Sequence, residues 1–403
     1  MSMNQAASHA EPPASGYPAL ADLYQVRRDI TFLNHGSYGA CPRPVFEVYQ
    51  QWQREIEQQP VEFLGRRVRT LLGDARAALG DFVGTAGDNL AFVPNVTVAM
   101  NAIVRSLALE PGLQPGDEVL STDHEYGAVV RTWEYYCERR GARFIAQPIP
   151  LPLTTAEEFV EQLWAGVTPR TKIITLSHIT SATALIFPLA EVCRRAREVG
   201  ILTVIDGAHA PGQIDLDLDA LGADFYTGNC HKWLSAPKGA GFLYARPECQ
   251  AMLDPLVISW GWKSERPSNS LFVDHFEWTG TDDPSAYLSV PAAIAFQRQH
   301  NWPRVRVACH ALARDARERV AALTGLPPIA PDSPDWWVQM CDIPLPATDP
   351  IRLKERLWDD YKVEIPSLLF KGKNYVRISI QAYNDQEDVD QLVTGLRDIL
   401  SLK

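Results

Sequence analysis

The stretch from Leu90 to Tyr244 constrains the fold most, because short apolar segments alternate there with amphipathic ones. Segments of strand length are Leu90–Val93, 118–121, 172–176, 202–205, 224–226 and Gly241–Ala245. Between the third and fourth of these, residues 189–199 carry apolar side chains at helical spacing, and Gly200 ends that helix. Strands separated by helices pair in parallel through right-handed crossovers. The pattern therefore predicts an α/β fold whose mainly parallel sheet is flanked by helices.

The domain organisation is predicted from where this pattern stops. Residues 264–283 lose periodicity and contain Pro, Ser and Asn, as expected of a long loop that leaves the sheet. Helical and then mixed patterns follow, up to a last strand near 375–380 and a helix near 389–399. We predict a disordered tail at residues 1–20, a large domain at 21–280 and a smaller α+β domain at 281–403. The first segment of the large domain could also join the small one.

Composition excludes several classes of partner. The formal net charge of -11 argues against a nucleic-acid surface, which needs clustered Lys and Arg. The seven cysteines are scattered without a CxxC pair, as in reduced cytoplasmic proteins rather than disulfide or zinc proteins. No apolar run approaches the roughly 20 residues that cross a bilayer, and the first 20 residues do not resemble a signal peptide. We therefore expect a cytoplasmic protein without nucleic-acid, membrane or metal binding.

An acid and a lysine each follow a predicted strand. Asp206 comes directly after strand 202–205, and Lys232 lies 26 residues downstream, after the next strand. A crossover helix fits that gap, so both side chains could face one pocket. Pyridoxal phosphate (PLP) acts as an electron sink while its pyridine nitrogen is protonated. A carboxylate about 3–4 Å away contributes about 4 kcal/mol at an effective dielectric near 20, roughly three pKa units. Lys232 would form the Schiff base and later move protons.

The cofactor phosphate needs an anion site, and residues 95–97 are the candidate. Asn95, Val96 and Thr97 follow a strand and precede a helical run. Backbone amides at such a helix start, with the Thr97 hydroxyl, bind anions. Taken alone, each signal is more often a cap, a turn residue or a surface lysine. The ordered combination is what favours a PLP site.

Through the motifs below, the chain resembles the class V aminotransferase family of PLP enzymes (fold type I), and within it the isopenicillin N epimerase branch. The resemblance runs from residue 33 to residue 384. Its specific motifs are LNHGSYG at 33–39, TDHEYGA at 122–128, DGAHAP at 206–211, NCHKWL at 229–234, APKG at 236–239 and VRISIQAYN at 376–384. The resemblance implies a large PLP-binding domain and a smaller C-terminal domain.

The resemblance also implies roles for individual residues. Lys232 is the Schiff-base lysine, Asp206 the partner of the pyridine nitrogen, and His209 and Ser181 approach the phenolic oxygen. His124 stacks on the cofactor face, with Tyr126 as the competing choice. Phosphate contacts are expected from Asn95, Val96, Thr97, Asn229 and His231, although Asn229-Cys230 departs from the Ser-Gly of many relatives. Thr281 would reach the phosphate of a neighbouring subunit, which implies a homodimer.

Substrate contacts follow from the same resemblance. Arg377 matches the arginine that grips the α-carboxylate of an amino-acid substrate, since a guanidinium binds a carboxylate through two parallel hydrogen bonds. Asn34 and His35 are expected to line the substrate entrance. The catalytic set predicted from the sequence is thus Lys232, Asp206, His209 and His124.

The reaction itself stays open between two outcomes. Returning the α-proton on the opposite face gives an epimerase, whereas expelling a β-substituent gives a C–S lyase acting on a cysteine conjugate or sulfoxide. The lyase needs an acid near the leaving sulfur, for which Tyr126 or His35 could serve. Residues 365–374 lack the cysteine of persulfide-forming desulfurases. Transamination is less favoured, and a non-catalytic scaffold is disfavoured because the key residues are all retained.

Overall fold

The computed structural model describes residues 18–109 and 112–402, so the predicted tail lies outside the described residues up to residue 17. The strands are β1 Thr31–Phe32, β2 Leu90–Val93, β3 Glu118–Thr122, β4 Arg143–Gln147, β5 Thr171–Ser177, β6 Leu202–Gly207, β7 Phe225–Asn229, β8 Gly241–Ala245, β9 Met340–Leu345, β10 Val363–Glu364, β11 Ser367–Phe370 and β12 Lys373–Ser379.

Helices surround these strands. They are α1 Pro18–Ala21, α2 His35–Tyr38, α3 Arg43–Gln58, α4 Pro60–Glu62, α5 Val68–Val83, α6 Val96–Leu109, α7 Gly127–Arg140, α8 Ala156–Trp164, α9 Leu189–Glu198, α10 Leu218–Leu221, α11 Leu271–Glu277, α12 Ser285–Leu288, α13 Val290–Gln299, α14 Trp302–Thr324, α15 Pro350–Tyr361 and α16 Gln386–Ile399. A π-helical segment, Phe63–Arg67, joins α4 to α5. Among the described residues, no helix is both long and apolar enough to span a bilayer.

The central sheet has seven strands in the order β2-β8-β7-β6-β5-β3-β4. Strands β3 to β7 pair in parallel, and β8 runs antiparallel to both of its neighbours. This confirms the mainly parallel sheet predicted from the sequence. Strand β4 was not predicted: it is an edge strand whose side chains are half-buried or exposed, so it lacks the apolar run that marks the others.

Side chains alternate between two apolar cores, one on each face of this sheet. Val204 and Phe225 belong to one core, whereas their chain neighbours Ile205 and Tyr226 belong to the other. This alternation is the period of two that a strand imposes on its side chains. Burial on both faces makes these strands read as continuous apolar runs.

The smaller domain is built on an antiparallel sheet with the order β11-β12-β9, as the predicted α+β pattern requires. Helices α14 and α16 pack against each other, and α14 also packs on β9. The first segment of the chain reaches this domain, because β1 pairs in parallel with β10. Helices α12 and α13 lie beyond residue 280 but pack against α3 and α5.

Candidate active site

The carboxyl ends of β5, β6 and β7 bring the predicted polar residues to one edge of the sheet. Asp206, near the end of β6, is the register partner of Ser177 on β5 and of Thr227 on β7. Lys232 follows β7 in the turn that leads to β8. Parallel strands end at the same edge, so residues far apart in the chain become neighbours there.

Lys232 lies in this turn with its amine buried against His209. The Lys232 Nζ atom is 3.1 Å from His209 Nε2. Burial lowers the pKa of Lys232 to about 8; the negative charge of Asp206 opposes the shift, and the positive charge of Arg377 adds to it. The amine therefore loses its proton far more readily than a surface lysine, as a nucleophilic lysine must.

His209 is fixed in one tautomer by a neighbouring indole. Trp233 Nε1 donates to His209 Nδ1 over 3.2 Å, so Nδ1 is the acceptor and the neutral ring carries its proton on Nε2. Burial holds the pKa of His209 well below its usual range, and the positive charge of Lys232 lowers it further. The Nε2 proton consequently points at the lone pair of an uncharged Lys232 amine. Trp233 was not among the residues predicted for the site, although it directly follows Lys232.

A glycine lets the N-terminal segment approach the lysine turn. Gly39 has φ +71°, and a Cβ atom at this position would lie 1.9 Å from the carbonyl oxygen of His231 and 2.9 Å from the Cα of Lys232. No other residue fits there without moving that backbone. This close approach gives a physical reason for the last glycine of the LNHGSYG motif.

Two carboxyl groups interact electrostatically near the end of β6. Asp206 is buried and accepts a 2.9 Å hydrogen bond from the Ala208 amide. Burial raises the pKa of Asp206, while the positive charge of Lys232 opposes the rise. The Glu125 carboxyl accepts hydrogen bonds from the Ser177 amide (2.8 Å) and the Ser177 hydroxyl (2.6 Å). It accepts a third from the Thr122 hydroxyl (2.7 Å). Burial raises the pKa of Glu125 to about 7, and the nearby Asp206 contributes to the rise. Glu125 was not among the predicted site residues, although it lies inside the TDHEYGA motif.

At the start of α6 the structure differs from the expected phosphate contacts. The Val96 amide donates to Asn229 Oδ1 over 3.0 Å, so these two groups satisfy each other rather than both facing an anion. Asn95 caps the helix, since its side-chain oxygen accepts from the Val98 amide at 3.1 Å. The Thr97 side chain is exposed. His231 Nδ1 donates a hydrogen bond to the carbonyl oxygen of Ala240 over 3.1 Å. Its Nε2 is therefore the nitrogen that could face a phosphate.

The choice of His124 as the stacking residue is contradicted by its surroundings. Its ring is completely buried, with centroids 4.8 Å from Phe370 and 5.9 Å from Phe187. Its Nε2 donates to Ile149 O (2.8 Å), and its Nδ1 pairs with Thr183 Oγ1 (2.9 Å). Neither ring face is open to a cofactor. Tyr126, the competing choice, is half exposed at the start of α7, and its stacking role stays a prediction.

Arg377 brings the small domain to the site. Its Nη1 donates to Ser181 O (2.6 Å) and Ser181 Oγ (3.1 Å), and its Nη2 lies 3.4 Å from Ser37 Oγ. Both oxygens of Ser181 thus accept hydrogen bonds from Arg377, whereas we expected the Ser181 side chain to approach the phenolic oxygen of the cofactor. Asn34 donates to Glu364 (2.9 Å) and accepts from Ser37 (2.5 Å), beside the same arginine.

His35 is not at an opening. The ring is fully buried; its Nε2 lies 3.0 Å from the carbonyl oxygen of Lys232, and its Nδ1 lies 3.0 Å from Tyr383 Oη. Burial lowers the pKa of His35 to about 3, so the ring is neutral. The expectation that His35 lines the substrate entrance is therefore wrong: the ring supports the lysine turn from behind. Thr281 is exposed, after Gly280 in the loop that follows α11.

The family model for aminotransferase class-V matches residues 40–392. The chain belongs to the aminotransferase class-V family. An isopenicillin N epimerase of Amycolatopsis lactamdurans is 37% identical over 92% of this chain and 95% of its own length. A probable chloroplastic L-cysteine desulfhydrase of Arabidopsis thaliana is 27% identical over 92% of this chain and 83% of its own. A cysteine desulfurase structure from Escherichia coli superposes with a TM-score of 0.78 at 20% identity, covering 95% of this chain and 98% of its own.

These matches confirm the class-V resemblance and the fold type I architecture predicted from the sequence. Pyridoxal phosphate, the cofactor of class-V enzymes, fits the donor set: a deprotonatable amine at Lys232, a buried carboxyl at Asp206, and the Nε2 nitrogen of His231. Among the described residues, no group of His, Cys, Asp and Glu forms a metal site.

Proposed function

We propose that this class-V enzyme removes the α-proton of an amino acid and returns it on the opposite face, as an epimerase. The observation that carries the proposal is the Lys232 amine, 3.1 Å from His209 and under the electrostatic influence of both Asp206 and Arg377. The proposed base thus interacts electrostatically with the carboxyl proposed for the cofactor ring and with the cation proposed for the substrate carboxylate. Such interacting, perturbed titratable groups mark functional sites.

Each residue has a physical task in this scheme. Bound pyridoxal phosphate supplies the electron sink for charge that develops at the α-carbon. Asp206 would hold the pyridine nitrogen protonated, and the neutral His209 would direct the Lys232 amine. A lysine pKa of about 8 is close to working pH, where proton transfer by a side chain is most efficient. Arg377 would orient the α-carboxylate so that the α-proton faces Lys232.

An epimerase also needs an acid on the side of the α-carbon opposite Lys232. We propose Tyr126 for that position, since its side chain is half exposed at the start of α7 and its hydroxyl has no hydrogen-bond partner among the described residues. His35, which the sequence offered only as an acid for the lyase reaction, has both ring nitrogens held inside the protein.

A C–S lyase is the second candidate, favoured by the similarity to a plant L-cysteine desulfhydrase. Tyr126 would then protonate the leaving sulfur. Persulfide formation, in contrast, would need a cysteine thiolate as the nucleophile. Burial raises the pKa of every one of the seven cysteine thiols, so none is poised as a thiolate.

Incubation of the cofactor-loaded enzyme with amino acids and cysteine conjugates in heavy water separates the candidates. Deuterium at the α-carbon with loss of chirality would mark an epimerase. Pyruvate with a released thiol or sulfenate would mark a lyase. Neither product from any substrate would refute both reactions while leaving the cofactor assignment to be checked by absorbance.

We also propose a homodimer in a reducing, cytoplasmic compartment. Large apolar side chains are exposed on one stretch, with Trp260 82% exposed, Ile258 62% and Trp262 50%. Exposed apolar patches of this kind mark protein interfaces. The free thiols suit a reducing compartment. Sedimentation at micromolar concentration tests the dimer; a monomer that remains active would refute it.

A further inference from the structure

Asp342 on β9 is a buried carboxyl group to which the proposed reaction gives no task. It is 3% exposed, and neither of its oxygens has a hydrogen-bond donor among the described residues. Buried carboxyls in native proteins are paired or hydrogen-bonded, because an unpartnered one costs free energy. The two unpartnered oxygens of Asp342 therefore need an explanation.

The register of the small sheet places Asp342 beside the carboxylate-binding arginine. Asp342 is the antiparallel Cα partner of Arg377, and the Cβ atoms of such a pair are about 4.5–5.5 Å apart on the same face. That face continues to Met340 and Ser379, which a Cβ atom at Gly36 would touch at 2.8 and 2.9 Å. The pair therefore faces the large domain and the candidate site.

The guanidinium of Arg377 is only partly occupied. Its Nη1 donates to Ser181 and its Nη2 approaches Ser37, both neutral oxygens, while Nε is buried without a partner. No carboxylate lies within ion-pair distance of Arg377 among the described residues, although Asp342 interacts with it electrostatically. The guanidinium of Arg377 can therefore bind one anion closely. That anion is either an ionised Asp342, after a change of its side-chain conformation, or a ligand.

Building on the proposed function, we propose that Asp342 is a proton-linked counter-ion of Arg377: the site binds a substrate carboxylate with Asp342 protonated, and an ionised Asp342 competes with that carboxylate. A proton taken from solvent balances the charge. Asp342 then acts as a positioning residue that makes carboxylate binding depend on pH.

The surroundings of Asp342 support this linkage. Burial raises the pKa of Asp342 well above its usual range, while the positive charge of Arg377 opposes the rise. Among the described residues, the other titratable groups that interact with Asp342 are Tyr375 on β12 and Cys341 on its own strand, both with pKa values raised by burial. On the large-domain side, the charged or titratable groups that interact with Arg377 are Lys232 and His209.

The sign and size of the effect follow from electrostatics. A second negative charge near Arg377 raises the proton affinity of Asp342, so ligand binding takes up a proton and weakens as pH rises. Two charges about 6 Å apart at an effective dielectric near 20 change a binding constant by roughly a hundredfold. Replacing Asp342 by a neutral residue removes this penalty.

The test is the affinity of the cofactor-loaded enzyme for propionate, a carboxylate without an amino group, from pH 6 to pH 9. We expect affinity to fall with rising pH in the wild type but to stay flat in Asp342→Asn, which binds up to about a hundredfold tighter at high pH. Asp342→Leu, nearly isosteric and without hydrogen-bonding groups, should behave like Asp342→Asn. Asp335→Asn, at an exposed position, should follow the wild type.

Infrared difference spectra give a second readout. Propionate binding at high pH should add a protonated-carboxyl band in the wild type and not in Asp342→Asn. Identical pH profiles in the wild type and both Asp342 variants, or no such band, would overturn the inference. Failure of the proposed function looks different: no borohydride-sensitive visible absorbance would refute the cofactor, and propionate binding that survives Arg377→Ala would refute the carboxylate site.

Discussion

The two halves of the candidate site differ in how their polar atoms are partnered. In the large domain, Lys232, His209 and Asp206 each have a hydrogen-bond partner near the sheet edge. In the small domain, Arg377 Nε and both oxygens of Asp342 have none among the described residues. The named polar groups of the large-domain half are therefore hydrogen-bonded, whereas the small-domain half retains unsatisfied polar atoms to which a ligand could hydrogen-bond.

Removing the base should give the largest effect and would break the assignment of chemistry to the large domain. We expect Lys232→Ala to lower turnover by at least about 10⁴-fold, because proton transfer and covalent attachment are both lost. Circular dichroism should show a folded protein. Steady-state rates with the preferred substrate are the measurement, and appreciable turnover by this variant would contradict the role of Lys232.

Asp206→Asn should give the second-largest loss of turnover. Loss of the carboxylate lowers the pyridine nitrogen pKa by roughly three units, so turnover should fall by about 10³-fold. The absorbance spectrum of the bound cofactor should change its pH dependence together with the rate. Asp215→Asn, whose side chain is 93% exposed, is the matched control and should match the wild type. A normal cofactor spectrum in Asp206→Asn would remove the proposed pairing.

Arg377→Lys tests the small-domain half through substrate recognition. A lysine cannot make two parallel hydrogen bonds to a carboxylate, so KM should rise about 10- to 100-fold. The turnover number should change much less, because the chemical groups lie in the other domain. Initial rates over a range of substrate concentrations separate these terms, with Arg306→Lys as a control; an unchanged KM would exclude carboxylate binding by Arg377.

The stacking choice can be sharpened by two variants with opposite expected effects. Tyr126→Ala should weaken cofactor binding about tenfold, the loss expected for one aromatic contact. His124→Leu removes two buried hydrogen bonds, so it should lower the free energy of unfolding by about 1–3 kcal/mol without a comparable loss of cofactor affinity. Equilibrium dialysis and urea unfolding measure the two quantities. The reverse pattern would restore His124 as the stacking residue.

Glu125 gives the smallest expected effect, a pH dependence of stability in the cofactor-free protein. The folded-state pKa of about 7 exceeds the ordinary 4.5, so the folded state binds more protons between these values. The free energy of unfolding should therefore fall as pH rises through that window. Glu125→Gln should lack this component. Urea unfolding at pH 5 and pH 7.5 tests it, and parallel curves for the two proteins would contradict the raised pKa.

Local sequence patterns predicted much of the fold and part of the site. Apolar runs located six strands of the central sheet, and the placement of Asp206 and Lys232 after such runs predicted that they share a pocket. Strand β4 was missed because an edge strand lacks a continuous apolar run. Glu125 and Trp233 were missed because nothing local distinguishes a buried, bonded side chain from a solvated one.

The sequence by itself determined the parallel sheet, the family and the two residues on which the proposed chemistry depends, since strand period and motif order are local properties of the chain. Tertiary structure alone decided that His124 is enclosed while Tyr126 is open, that Asn229 bonds Val96, and that Asp342 lies beside Arg377. The physical reason is that burial, hydrogen-bond partners and pKa values depend on contacts between distant segments, which periodicity along the chain does not encode.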